Sequence, residues 1–114
     1  MKRKRSRPRP LTYASLKKRL DAIVSVWVRR RFANEHGMVQ CVSCQKWDYW
    51  KELQCGHYAK RSCLNTRWLA ENLAPQCVRC NIFMGGNYPA YSAWGVNRYG
   101  QDWPSRMVSL SKET

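Results

Sequence analysis

Two Cys-x-x-Cys pairs, Cys41-Val42-Ser43-Cys44 and Cys77-Val78-Arg79-Cys80, constrain this chain more than any other feature of it. Together they supply four thiolates, the set that Zn2+ takes tetrahedrally in structural sites. The insert between them is 32 residues, longer than in a compact zinc ribbon. A metal held there closes the insert into a loop, and its binding free energy becomes folding free energy. A chain of 114 residues suits one compact domain whose small core needs such a staple. A redox dithiol competes with this reading and is disfavoured, because neither pair sits in a thioredoxin-like βαβ pattern. Cys55 and Cys63 are left over and read as ordinary thiols. No long apolar run follows the basic start, so no signal peptide, no membrane span and a reducing, cytoplasmic setting are expected.

Charge narrows the partner. The net charge is +14, and residues 1–31 carry more than half of the 21 cations with a single acid, Asp21. An imbalance of that size fits a polyanion, nucleic acid being the commonest. Residues 1–10, MKRKRSRPRP, read as a disordered basic arm, since Pro8 and Pro10 oppose a helix and like charges repel. The rest, 11–114, reads as one domain.

Apolar periodicity supplies the elements. Leu16, Leu20, Ile23, Val24, Trp27, Val28 and Phe32 recur at helical spacing, predicting a long helix over about 12–36, capped by Thr12 or Ser15 and stopped at Gly37. Short strands are expected at Met38–Gln40 and around Leu53 to Ala59. Residues 61–73 read as loop. A helix is expected to open at 77–84, another to run Tyr88–Tyr99 with Gly100 as its stop, and a last one to cover Asp102–Leu110. Of Trp47, Tyr49 and Trp50, one or two are expected in the core. The zinc-stapled core then covers about 38–87 and a helical part about 88–110.

Inside the insert lies Gln54-Cys55-Gly56-His57-Tyr58, followed by Asn72 and, just past the second cysteine pair, Asn81. A His on a strand, an Asn in a loop and a polar ligand on the next helix match the plan of the ββα-metal (HNH, or His-Me finger) nucleases. Phosphodiester hydrolysis explains the residue types. His57 has a pKa suited to activating water. Asn81, with Gln54, can offer oxygen to Mg2+ or Mn2+, and Asn72 is expected to orient the imidazole. The expected fold class is therefore α+β, a small zinc-stapled ββα-metal core with a long N-terminal helix and C-terminal helices.

The run CVSC…QCGHY…TRW…EN…QCVRCN…GGN…Y…YG, over about residues 38–100, resembles the phage lambda NinG/Rap recombination-protein family. The resemblance implies an HNH-like, phage-encoded endonuclease acting on branched DNA such as Holliday junctions and D-loops in a bacterial cytoplasm. It places Cys41, Cys44, Cys77 and Cys80 on the zinc pattern. It puts His57, Asn72 and Asn81 on the catalytic triplet and Asn87 on the family's Gly-Asn. Many HNH enzymes carry an Asp immediately before the His; here that position is Gly56. The members also have a longer N-terminal extension than this chain. Two other readings stand beside a junction resolvase: a less selective HNH nicking or duplex-cutting enzyme, and a non-catalytic zinc-stapled DNA-binding module. Resolving a four-way junction takes two related cuts, so a homodimer is expected, with the first helix as its interface.

Overall fold

A computed structural model describes residues 11–113; the expected basic arm, 1–10, lies outside the described residues. The first helix, α1, spans Tyr13–Arg31. Thr12 and Ser15 cap it together: the Ser15 amide donates to Thr12 Oγ1 at 3.1 Å and the Thr12 amide to Ser15 Oγ at 3.0 Å. The helix is shorter than its periodicity predicts. Asn34 Oδ1 accepts from the amides of His36 and Met38, forming a local turn that replaces the helical hydrogen bonds. Gly37, with φ +76°, serves that turn and not a helix stop.

Two antiparallel pairs follow. Strand β1 (Met38–Gln40) pairs with β2 (Trp47–Tyr49), which the sequence pattern did not predict as a strand. All three β2 residues are exposed, and a run of three is too short for a period-two pattern to mark it; of the three nearby aromatics only Trp50 packs against a core. Strand β3 (Gln54–His57) pairs with β4 (Leu73–Gln76), His57 opposite Leu73 and Gln54 opposite Gln76. The connection expected as plain loop holds a short helix, α2 (Leu64–Arg67), and a 3-10 turn, Ala70–Asn72. After β4 comes a single π-helical turn, Arg79–Phe83, in place of the fuller helix expected there. Helices α3 (Tyr88–Tyr99) and α4 (Trp103–Ser111) close the chain close to where periodicity sets them.

Two small cores result. Val39, Cys41, Leu53 and Cys80 form one, with Phe32 and Trp50 at its edge. Val42, Ala74, Tyr91, Trp103 and Met107 form the other. In the second, α3 and α4 approach so closely that a Cβ at Gly95 would overlap the Trp103 ring. The Trp103 indole donates to the Glu71 carbonyl at 3.0 Å, which satisfies its buried N–H.

Helix α1 lies across β3 and β4. It turns Val24, Val28 and Phe32 toward the body and leaves Leu16, Leu20, Ile23 and Trp27 exposed. Arg29 donates to the carbonyls of Trp50 and Leu53 and lies over the Trp50 ring. No described helix is long and apolar enough to cross a membrane.

Candidate functional site

The four cysteines of the two pairs converge. Their sulfurs lie within 4.8 Å of one another, and Cys44 Sγ stands 3.7 Å from Cys77 Sγ. Four thiolates around one zinc at ~2.3 Å are spaced by about 3.8 Å, so the cluster is a donor set for a structural metal such as zinc. Several N–H groups point at it. The Cys80 amide donates to Cys77 Sγ and Asn87 Nδ2 donates to Cys80 Sγ at 3.5 Å. Asn87 reaches that sulfur from a left-handed backbone position, φ +45°, that asparagine tolerates. The cluster joins the β1–β2 hairpin to the end of β4, where the Val42 amide also donates to the Pro75 carbonyl.

Beside this staple runs a cleft of about 560 Å³. Strand β3 delivers Gln54, Cys55 and His57 into it, and the π-helical turn delivers Asn81. His57 Nε2 lies 2.9 Å from the Arg67 carbonyl oxygen. A carbonyl can only accept, so in the neutral ring Nε2 carries the proton and Nδ1 is left as the base. Burial pushes the His57 pKa below its usual value, against the opposing effects of the Arg67 carbonyl and the Asp21 charge. Burial thus favours the neutral ring. Asn81 Nδ2 donates to Gln54 Oε1 at 2.7 Å, so the two amides expected to work together do meet.

Asn72 does not reach the cleft. It is fully buried, and its amide accepts from the Ala59 N–H and donates to the Ala59 and Thr66 carbonyls. The imidazole is held by the Arg67 carbonyl, so the expectation that Asn72 orients it directly is corrected: Asn72 clips the loop that carries Arg67. Burial pushes the Cys55 thiol up to about 12, so it stays protonated in the cleft wall.

Asp21 is the site residue that the motif pattern missed. From α1 it takes Arg67 Nε at 2.9 Å, Arg67 Nη2, and the Trp68 indole N–H at 2.9 Å. The Arg67 guanidinium holds the Asp21 carboxyl below the usual carboxylate range. A signal existed, since Asp21 is the sole acid among the first 31 residues. Gly56 also has its reason: a Cβ there would overlap the Gln76 side chain across the strand pair, so the position before His57 has no room for an acid. Lys60 and Arg61 complete a cationic rim.

The model of the family described as the bacteriophage lambda NinG protein matches residues 1–112. The chain belongs to the NinG family. The match covers nearly its whole length, the N-terminal helix with Asp21 included, so α1 is as much part of this NinG-family chain as the cysteine cluster. No curated protein and no solved structure matches it.

Proposed function

We propose that this NinG-family protein is a metal-dependent DNA endonuclease of the HNH type, selective for branched DNA such as Holliday junctions or D-loops, with a zinc in the Cys41, Cys44, Cys77 and Cys80 cluster. One observation carries the reading. His57 has its Nε2 committed to a main-chain carbonyl and its Nδ1 free, in a cationic cleft that also holds the Gln54–Asn81 amide pair. The order of strand, loop, strand and helical turn that carries these residues supports the reading.

The chemistry follows from the groups. Lys60 and Arg61 draw the phosphate backbone to the rim. His57 Nδ1 takes a proton from water as the water oxygen attacks phosphorus and the P–O bond to the leaving sugar oxygen breaks. Gln54 and Asn81 have amide oxygens suited to a hard divalent ion that keeps most of its waters; Asn81 Oδ1 is free of the Asn81–Gln54 bond. Gln54 and Asn81 would hold Mg2+ or Mn2+ there, and such an ion would supply positive charge to offset that on the phosphate in the transition state. The one carboxylate of the cleft, Asp21, is engaged by Arg67.

The test is cleavage of labelled four-way, forked and linear DNA with Mg2+ or Mn2+. We expect preferential cutting of branched substrates, and a loss of ~10²–10⁴-fold or more for His57→Ala with DNA binding retained. Equal cutting of linear duplex favours a less selective nuclease. Binding with no cutting by the natural protein leaves a zinc-stapled DNA-binding module and overturns the enzyme.

A further inference from the structure

The π-helical turn that brings Asn81 into the cleft continues outward as Ile82-Phe83-Met84. These three consecutive apolar side chains are 56%, 80% and 48% exposed, and Phe83 is the most exposed large apolar side chain among the described residues. A run of three apolar residues in water at a loop tip carries a standing hydration cost and calls for a partner.

The tip is held firmly. The Met84 amide donates to the Arg79 carbonyl at 2.8 Å and the Gly86 amide to the Cys80 carbonyl at 2.9 Å. Gln76 Nε2 takes the Gly86 carbonyl at 2.7 Å. Gly85 and Gly86, at φ +59° and +101°, turn the chain straight back, a path glycine allows without strain. Cys77 and Cys80 tie the root of the turn to the four-cysteine cluster. The backbone is thus fixed while the side chains project.

Its neighbourhood identifies the partner. Ile82, Gly85 and Gly86 line the same cleft as His57, Lys60 and Arg61, in a protein of net charge +14. A rigid apolar tip beside a cationic rim fits neither an apolar ligand pocket nor a basic protein partner. It fits nucleic acid, with cations on the backbone and an apolar side chain between bases.

We propose that Ile82-Phe83-Met84 is a base wedge: Phe83 enters the base stack at the branch, next to the phosphate facing His57. Stacking is already interrupted at a branch, so insertion there displaces less base stacking than in a continuous duplex. That difference turns an apolar tip into a selector for branched DNA. The inference rests on the DNA-cleaving reading only for the choice of phosphate; the wedge itself is a binding device.

The experiment uses the full chain as His57→Ala, without added Mg2+, on a four-way junction and a linear duplex that carry 2-aminopurine at the same sequence position, the branch in the junction. We expect 2-aminopurine fluorescence to rise on the junction. The rise should vanish in His57→Ala/Phe83→Ala, with junction affinity falling about ten-fold or more, the loss of one stacked base. Linear duplex affinity should stay within about two-fold, and Phe83→Trp should restore both signals. Zinc content and circular dichroism check that the exposed substitution leaves the fold intact. An equal fluorescence rise without Phe83, or none with it, overturns the wedge. So does a change in molar mass with Phe83→Ala and no change in fluorescence, which would make the tip a protein contact. If the junction is unstacked but the natural protein never cuts, the enzyme reading falls and the wedge stands.

Discussion

Asp21 on the N-terminal helix grips the side chain of Arg67, the residue whose main-chain carbonyl holds the His57 ring. One ion pair thus links α1 to the orientation of the imidazole 36 positions further along the chain. The Trp68 indole N–H on the same carboxylate anchors the next residue too. Under the proposed reaction Asp21 is a positioning residue, acting on His57 through residues 67 and 68.

A pH profile tests this. Burial puts the folded His57 pKa below 6.5, and the Asp21 charge works against that shift by favouring the imidazolium. Activity that needs neutral His57 should fall on acidification with a midpoint below 6.5. Asp21→Asn removes the negative charge, so the limb should move to still lower pH while kcat drops; an unmoved limb would detach Asp21 from the ring. The pair also contributes stability. The Asp21 carboxyl is lowered from 3.8, so its contribution is present above that value and is lost as pH falls through the folded pKa.

Asn72 and Asn81 should separate cleanly. Asn72→Ala leaves a buried N–H and two carbonyls without their partner, each costing about 1–3 kcal/mol. We expect a large fall in melting temperature and a loss of activity that tracks unfolding. Asn81→Ala breaks a single, part-buried amide–amide bond. It should melt nearly normally and show its defect at limiting Mg2+ or Mn2+. Wild-type activity of Asn81→Ala at limiting metal would remove Asn81 from the site.

Metal removal should unfold the domain. The cluster joins the hairpin to β4 and sits in one of only two small cores of the described residues. Structural zinc in small domains contributes on the order of 10 kcal/mol, comparable with the whole stability of a domain. Elemental analysis should find about one zinc per chain, and a strong chelator should abolish the melting transition. An unchanged melting curve in chelator would rule out a structural role.

The dimer expectation becomes more specific on the structure. Leu16, Leu20, Ile23 and Trp27 follow a four-three-four spacing along α1 and are all exposed. That is the spacing of a helix seam, and a second copy would bring the second cleft that paired cuts require. Val24 sits in the cleft wall, so it is no probe of this face. Leu20→Arg should give monomers, by light scattering, that nick one strand of a junction and make no paired cuts. Paired cuts by a demonstrated monomer would exclude the arrangement.

Local rules made much of this protein legible. The cysteine spacing announced the cluster, because four thiolates in two turns have few other uses in so small a chain. Tyr88–Tyr99 and its stop at Gly100 follow from apolar period and a residue that takes positive φ freely. That His57, Gln54 and Asn81 come together was readable in the sequence, since a strand and a following turn carry them into one cleft. Tertiary structure alone decided the rest. It chose which part of the α1 stripe faces inward, and it made Arg29 a half-buried tether to the Trp50 and Leu53 carbonyls. It closed the position before His57 with Gln76, a residue 20 places away. It brought Asp21 to Arg67, withdrew Asn72 into the loop it staples, and left Phe83 in water next to Ile82 of the cleft wall. The physical reason is common to all of these. Periodicity and propensity act within a few residues, whereas the partner of a charge, an amide or a missing Cβ is set by packing between distant segments.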